Sequence, residues 1–336
     1  MKIHPLNPLT FNLMIIILKI KSIINQNIPQ GVTMKQKWRV LLFVLVSFIL
    51  FSCSSKSTNE NIQGYLLIIG GGKRPESVMK KFIHLAHGFE NGKIFILPMA
   101  SADPEGTGKY QAKQLRELGA KNVDFLIVSK DDANADSMLR KLDGVTGIFF
   151  SGGVQTRLMN AIGGTAFAEK LHKLYRSGAV IGGTSAGAAV MSKIMITGDE
   201  KRPDRNKNRA FSRIEGDNIV TAEGLGFLED VIIDQHFVRR KRHNRLISLV
   251  LGNPKLVGMG IDESTALLVR SGHRFEVLGE NSVIIYDARN ADIAPFDPTK
   301  TYNLCASNIT MHVLTQGYIF DLNKNKVIAP HESIRK

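Results

Sequence analysis

Short apolar runs alternate with amphipathic stretches along residues 65–162. The continuous apolar runs predict strands buried on both faces of a sheet: Tyr65 to Ile69, Lys93 to Pro98, Val123 to Val128 and Gly147 to Phe150. The stretches between and after them predict helices: Glu76 to Phe89, Tyr110 to Leu118, Ala133 to Leu142 and Thr156 to Ile162. This alternation predicts a parallel sheet covered by helices, whose functional groups gather at the carboxyl ends of the strands.

The stretch AVIGGTSAGAAVMSK, Ala179 to Lys193, combines an apolar run, a tight turn and a helix-forming tail. Its centre fits G-x-S-x-G, a turn that raises the hydroxyl of Ser185 above the end of a sheet. The helix start, at Ala186, supplies backbone N–H groups to a developing oxyanion. The motif alone leaves two interpretations open, a nucleophilic serine and a Gly-rich turn whose serine caps a helix.

Two further glycine turns follow apolar runs. Ser151 to Gln155 leads into a helix, and an N–H near Gly153 is a candidate second oxyanion donor. Gln155 can orient a substrate amide, or it is a surface residue beside a helix cap. Gly70 to Gly72 is interpreted as a structural turn, because the remaining features of a dinucleotide-binding motif are missing.

A candidate general base follows a later apolar run. The basic segment Gly198 to Arg213 is interpreted as a lid or a disordered insertion. After it, Val231 to Ile233 predicts a buried strand that ends in Asp234, Gln235 and His236. A histidine at a strand end is a candidate base for a serine nucleophile.

Three arginines follow, Arg240, Arg242 and Arg245, on a predicted helix. They can bind carboxylates through paired hydrogen bonds, or they form a solvated helix face. A later strand ends at Asp262 and Glu263, and either of these acids, or Asp234, can hold the second imidazole nitrogen. The spacing does not choose among the three.

The chain beyond Thr265 predicts β structure. Leu267 to Val269, Phe275 to Leu278 and Ser282 to Tyr286 alternate with Gly and Asn turns and predict a β-rich extension of the sheet. Ile319 to Val327 predicts a last hairpin. The segment suggests no chemistry.

The N-terminal part has the layout of an export signal. Met34 to Arg39 is basic, Val40 to Phe51 is apolar, and Leu50-Phe51-Ser52-Cys53 resembles the lipobox of bacterial lipoproteins. The resemblance implies lipidation of Cys53 and an exported, membrane-anchored lipoprotein in the periplasm or at the cell surface. Residues 1–33 are then interpreted as an upstream extension, 34–52 as the signal peptide and 53–63 as a tether.

Charge and cysteine content narrow the function classes. The net charge is +14, but residues 1–52 hold six basic and no acidic residues, which leaves +8 on the rest. With few aromatic residues among the basic ones, we expect an anionic small substrate or a solvated surface and no specific nucleic acid. Cys305 is the second of only two cysteines, and it is expected to be buried.

Three blocks together, IGGTSAGAAVMS, IDQHFVRRKRHNRL and GIDESTAL, closely resemble those of the cyanophycinases. These enzymes form a serine peptidase family (S51) with the aspartyl dipeptidases. The resemblance implies an α/β fold like that of class I glutamine amidotransferases, a three-layer, flavodoxin-like α/β/α arrangement with a mainly parallel sheet. The peptidase domain is then residues 64–290, followed by a β-rich C-terminal extension at 291–336.

The resemblance also implies roles for single residues. It makes Ser185 the nucleophile, His236 the base and Glu263 the triad acid. It adds six substrate-binding positions: Gln155, Asp234, Gln235, Arg240, Arg242 and Arg245. Val154 departs from the family, in which an aspartate is usual at this position.

The expected activity is a serine exopeptidase that releases β-aspartyl-arginine dipeptides from cyanophycin, a polymer of aspartate and arginine, without metal or cofactor. An aspartyl dipeptidase and a non-catalytic lipoprotein that binds acidic polymers are the alternatives. The expected partners are a peptide rich in aspartate and arginine and, through Cys53, a membrane. A homodimer is left open.

Overall fold

A computed structural model describes residues 62–203, 210–270 and 273–330. The predicted upstream extension at 1–33, the predicted signal, the lipidation site Cys53 and most of the tether lie outside the described residues. None of the helices formed by the described residues is long and apolar enough to cross a bilayer.

The described residues form seven α-helices, in chain order α1 (Glu76–Leu85), α2 (Pro104–Glu117), α3 (Asp136–Lys141), α4 (Gln155–Ile162), α5 (Ala166–Arg176), α6 (Ala186–Ala189) and α7 (His243–Gly252). The first nine strands are β1 (Tyr65–Ile69), β2 (Lys93–Leu97), β3 (Asn122–Phe125), β4 (Val145–Phe150), β5 (Val180–Thr184), β6 (Ile194–Glu200), β7 (Ile219–Glu223), β8 (Val231–Gln235) and β9 (Val257–Ile261). The others are β10 (Thr265–Arg270), β11 (Arg274–Gly279), β12 (Val283–Asp287), β13 (Asp292–Ile293), β14 (Ala306–Ser307), β15 (Thr310–Leu314), β16 (Ile319–Asp321) and β17 (Lys326–Ile328).

The described strands form two main sheets. The larger has the order β17-β16-β11-β10-β1-β5-β4-β2-β3, and its strands from β1 to β3 in that order run parallel. The smaller has the order β15-β12-β9-β8, with β8 and β9 parallel. The predicted α/β class with a β-rich C-terminal region is confirmed, but the strands before His236 and Glu263 belong to a second sheet.

Buried apolar side chains hold these layers together. Helices α1 and α2 cover one face of the larger sheet through residues such as Phe82 and Leu115. The opposite face shares one core with the smaller sheet, to which Phe150 and Ile233 both contribute. Helix α7 covers the remaining face of the smaller sheet, and Leu246 of the helix and Ile232 of the sheet belong to one buried cluster.

Several predicted boundaries are wrong. Helix α2 begins at Pro104, six residues before the predicted start, because Asp103 caps it by accepting from the Gly106 N–H at 2.9 Å. Helix α1 ends at Leu85, and α6 has four residues. Helix α5 was not predicted. The stretch predicted as a helix at Ala133 to Leu142 is a 3₁₀ turn (Asp132–Asn134) followed by α3.

Two more expectations change with the structure. The first residues of the basic segment Gly198 to Arg213 belong to β6, which pairs with β7 in an antiparallel hairpin, whereas its residues 204–209 lie outside the described residues. Glu215, in the connection between β6 and β7, accepts from Arg213 Nε at 2.9 Å and thus neutralises part of the charge. Cys305 is exposed rather than buried, because it lies beside the short two-stranded ribbon of β13 and β14.

Candidate active site

Ser185 occupies a strained turn between β5 and α6. Its backbone angles are φ 54° and ψ −108°, in a region that costs a non-glycine residue free energy and that is typical of functional turns. The glycines on both sides allow the turn to close: a Cβ on Gly183 would lie 2.3 Å from the Gly187 carbonyl oxygen, and one on Gly187 would lie 2.5 Å from that of Phe150. The chain therefore presents the serine hydroxyl at the carboxyl end of the parallel strands.

His236 follows β8 and reaches Ser185 from the smaller sheet. Its Nε2 lies 2.9 Å from the Ser185 hydroxyl oxygen. Its backbone N–H donates to the Gly70 carbonyl at 2.7 Å, and its φ of 50° turns the chain out of the strand. The two sheets thus meet where a serine and a histidine are within hydrogen-bond distance.

Glu263 holds the second imidazole nitrogen. Its Oε1 lies 2.6 Å from His236 Nδ1, and Glu263 itself lies in the connection that passes from β9 to β10 and so from one sheet to the other. The two other candidate acids have other partners, since Asp234 accepts from Arg245 Nε at 2.6 Å and Asp262 from the Arg239 N–H at 2.9 Å. The geometry orients Nδ1–H toward Glu263 and leaves Nε2 as the acceptor for Ser185.

The imidazole is kept neutral at neutral pH. Burial lowers the pKa of His236 below its ordinary value of 6.5, and the positive charges of Arg240 and Arg242 lower it further, against the opposite effect of Glu263. A neutral imidazole can take a proton from Ser185, so the group is in the right state for a general base.

The turn Gly70 to Gly72, interpreted from the sequence as purely structural, lies directly against these groups. A Cβ on Gly71 would lie 2.3 Å from His236 Cε1, and one on Gly72 would lie 2.8 Å from Glu263 Cβ. The Gly71 carbonyl also accepts from the Ser264 N–H at 3.0 Å. Only glycine permits such close packing against His236 and Glu263. The sequence signal for this role is that the three glycines directly follow a buried strand, at its carboxyl end.

The two candidate oxyanion donors lie on either side of Ser185. Ala186 is the first residue of α6, where an N–H has no acceptor within its own helix. A Cβ on Gly152 would lie 3.5 Å from Ser185 Cβ, so the turn after β4 runs beside the serine. The next residue, Gly153, has φ 139° and packs tightly on the Ala100 carbonyl. Both turns therefore bring backbone to the serine.

The arginines divide into two groups. Arg245 and Asp234 form a buried two-point ion pair, and Arg242 Nη1 lies 3.6 Å from the same carboxylate and donates to the Gln235 carbonyl at 2.7 Å. Burial and the charge of Arg245 lower the pKa of Arg242 to about 10, which leaves it cationic at neutral pH. Arg240 is exposed and close enough to act on the charge of His236.

The structure corrects where these arginines lie. Arg240 and Arg242 were predicted on a helix, but they lie in the turn before α7, and only Arg245 is helical. A turn places Arg242 beside the end of β8, where its guanidinium can reach backbone and carboxylate together.

The two glutamines have different surroundings. Gln155 is buried, and its side-chain nitrogen donates to the carbonyls of Ile196 and Thr197 at 2.7 and 2.6 Å, which ties α4 to β6. Gln235 is also buried, with its Oε1 3.5 Å from the Ser185 hydroxyl oxygen. Of the two, Gln235 therefore has the contact with the serine. Val154 is 41% exposed beside Gly153.

Among residues 62–203, 210–270 and 273–330, no group of three or more His, Cys, Asp or Glu side chains could hold a metal ion. The groups that the structure does bring together, a serine, a histidine, a carboxylate and backbone donors, are those of acyl transfer by a nucleophilic serine.

Comparison with known proteins agrees with this chemistry. The sequence model described as Peptidase family S51 matches residues 66–277. A cyanophycinase of Synechococcus elongatus is 33% identical over 288 residues, 81% of this chain and 84% of that protein. A cyanophycinase of Geminocystis herdmanii is 32% identical over 269 residues, 77% of this chain and 93% of that protein.

Among solved structures, a peptidase from an acI-B1 Actinobacterium superposes with a TM-score of 0.55 at 22% identity, over 78% of this chain and 98% of that one. At this identity the likeness concerns the fold.

Proposed function

The chain belongs to peptidase family S51, a family of serine-type peptidases, and on that premise we propose that it hydrolyses cyanophycin and releases β-aspartyl-arginine dipeptides. The observation that carries the proposal is the chain of contacts from Ser185 through His236 to Glu263, at 2.9 and 2.6 Å. The cyanophycinases that resemble it over most of its length support the substrate.

We propose the following acyl-enzyme mechanism. The Ser185 oxygen attacks the scissile carbonyl carbon while His236 Nε2 takes the hydroxyl proton, and Glu263 stabilises the imidazolium that forms. His236 then gives this proton to the leaving nitrogen, the C–N bond breaks, and the acyl group stays on Ser185 as an ester. A water molecule, deprotonated by His236, hydrolyses the ester and restores the serine.

The oxyanion of each tetrahedral intermediate is stabilised by the backbone N–H groups of Ala186 and Gly153. Both belong to turns that fold beside Ser185, so they need little rearrangement during the reaction. Gln235, 3.5 Å from the serine oxygen, is placed to contact the bound peptide.

The arginines suit a substrate that carries carboxylates. Arg240 is exposed, and Arg242 is held by Asp234 and the Gln235 carbonyl, so these two guanidinium groups are the direct partners for substrate carboxylates. Asp234 and Arg245 are buried together, and their role in this proposal is to fix Arg242. Gln155 supports the site through β6.

A panel of cyanophycin and of α- and β-linked Asp–X peptides tests the substrate. We expect the protein to release β-Asp-Arg from cyanophycin and to leave α-linked peptides intact. Cleavage of the α-linked peptides alone would favour the aspartyl dipeptidase alternative and contradict our proposal.

Glu263→Gln should lower kcat by about 1,000- to 10,000-fold, since the imidazole loses its carboxylate. The exposed Glu280→Gln is the matched control.

We also propose that the protein is an exported lipoprotein anchored through Cys53, which residues 34–53 of the sequence support. Labelled palmitate should enter the wild-type chain in cells and the protein should sediment with membranes. Cys53→Ser should lose both properties, whereas Cys305→Ser should keep them. Unlabelled wild-type protein in the soluble fraction would contradict the anchor. The homodimer stays a prediction.

A further inference from the structure

A cavity lies between α1 and α2, on the face of the larger sheet that points away from the smaller sheet. We call it the α1–α2 cavity and define it by its polar residues Arg74, Gln111 and Gln114 and its apolar wall of Met79, Leu115 and Phe149. Its volume is about 190 Å³, and Ser185, His236 and Glu263 do not line it. Two polar side chains that line this cavity lack the partners that such groups usually have in proteins.

The first group is the guanidinium of Arg74. Burial lowers the pKa of this half-buried side chain, yet no carboxylate among residues 62–203, 210–270 and 273–330 lies within ion-pair distance of it. Its Nη2 donates to Gln114 Oε1 at 2.5 Å, which uses one of five N–H donors. A half-buried guanidinium without a carboxylate partner keeps donors free for a ligand, and its fork matches a carboxylate.

The second group is the side-chain amide of Gln111. The residue is 8% exposed, and its Oε1 has no hydrogen-bond partner within the part of the chain that the structure describes. Buried amide oxygens nearly always accept a hydrogen bond, so this oxygen calls for an N–H donor that the described residues do not supply. The residues that line the cavity thus include a guanidinium donor and an amide oxygen acceptor.

Two exposed acids also line the cavity, and each is paired with a lysine. Glu76 and Glu117 line it and form exposed ion pairs with Lys80 and Lys113, at 2.6 and 3.7 Å. A dipolar ligand is therefore compatible with the rim, whereas a polyanion would meet the two acids. The volume is below the roughly 300 Å³ at which pockets for drug-sized ligands begin.

We propose that the α1–α2 cavity binds a free amino acid, with its carboxylate on Arg74 and an N–H donor on Gln111 Oε1. None of the residues proposed to react with the peptide lines this cavity, so this inference goes beyond the proposed function and does not depend on it. Arg74 is two residues from Gly72, which packs on Glu263, so an occupied cavity borders the loop beside the proposed triad.

Isothermal titration of the full chain with L-arginine and L-aspartate tests the proposal. We expect at least one of the two to bind with one site per chain in the α1–α2 cavity. Analogues without a carboxylate are the matched ligands, agmatine for arginine and β-alanine amide for aspartate. Each should bind at least tenfold more weakly than its amino acid. Arg74→Gln should weaken binding at least tenfold, and Lys109→Gln, which removes an exposed positive charge from α2, should not.

The variants also separate binding from folding. Arg74→Gln removes a half-buried charge that has no carboxylate partner among the described residues, and Gln111→Leu removes a buried amide oxygen that has no donor there, so without ligand their Tm should equal or exceed that of the wild type. Both should lose the rise in Tm that the ligand gives the wild type. No binding to the wild type, or binding that both variants keep, would overturn the proposal. Loss of binding in Arg240→Gln alone would also overturn it, by assigning the ligand to the Ser185 crevice.

Discussion

At the scale of single residues, the protonation of His236 decides whether Ser185 can be activated. Its pKa is lowered mainly by burial and secondarily by the charges of Arg240 and Arg242, while Glu263 raises it. A base whose pKa lies below 6.5 is deprotonated at neutral pH and gains its proton only at lower pH. The site therefore has its base ready at neutral pH.

The lowered pKa of His236 predicts how kcat/KM falls on the acid side of the pH profile. kcat/KM of the wild type should fall as the pH drops through a value below 6.5, where His236 becomes protonated. Arg240→Gln removes a charge that lowers this pKa, so its limb should move to higher pH, and kcat/KM over a series of buffers measures the shift. Arg239→Gln, which removes the neighbouring exposed charge, is the control. A limb that moves equally in both variants would contradict a specific effect of Arg240.

The sequence predicts which residues are candidates for the site, but it does not predict which partner each side chain faces. The sequence indicates Ser185 and His236 through a turn motif and a strand end, but spacing alone does not distinguish Asp234, Asp262 and Glu263. The three acids separate in space because β8 and β9 place them toward different partners: Arg245, the Arg239 N–H and the imidazole. Such directions depend on backbone geometry that the order of residue types does not contain.

At the scale of elements, the turn after β1 is as much a part of the site as the serine turn. Gly71 has φ 112° and lies against the imidazole ring, while Gly72 lies against Glu263. The turn fills the space behind the proposed base, so its backbone fixes the ring in contact with Ser185. A side chain at this position would push the ring away.

Gly71→Ala should therefore lower kcat by at least about 100-fold, since small displacements of catalytic groups have effects of this size. Gly144→Ala is a matched control, because Gly144 also has a positive φ, of 70°, but a Cβ there meets nothing within 4 Å. Both variants should lose about 1–3 kcal/mol of stability through backbone strain. Equal activity of the two variants, measured at a temperature where both are folded, would refute the role of the Gly71 turn.

The apolar runs predict strands well because a strand buried on both faces needs unbroken hydrophobicity. Thus β1 agrees with its predicted bounds, and β2 and β4 agree to within two residues. Helix starts were less predictable, because the Asp103-Pro104 cap of α2 has the composition of a loop. Hydrophobic periodicity indicates which positions are buried, but it says less about the residue at which a helix begins.

At the scale of the whole molecule, the proposed triad exists only where two sheets meet. Ser185 comes from the larger sheet and His236 from the smaller one, and Glu263 lies on the chain that passes between them. One buried core contains Phe150 of the larger sheet and Ile233 of the smaller one. The separation into two sheets was not predicted, because periodicity indicates strands but does not say which strands pair.

The C-terminal strands complete both sheets. Strand β15 pairs with β12 in the smaller sheet, and β16 pairs with β11 in the larger one. The predicted final hairpin is confirmed as β16 and β17, with Ile319 opposite Ile328. These strands carry no group of the proposed site, so they support the scaffold that keeps the two sheets in contact.

Release of β-Asp-Arg from cyanophycin by the wild type and by Ser185→Ala, followed by mass spectrometry, tests the central claim most directly. The exposed Ser177→Ala serves as the matched control. We predict dipeptide release by the wild type and by Ser177→Ala, and a loss of at least about 10,000-fold in Ser185→Ala. Turnover that persists in Ser185→Ala would contradict Ser185 as the nucleophile, and a wild type inactive on cyanophycin would contradict the proposed substrate.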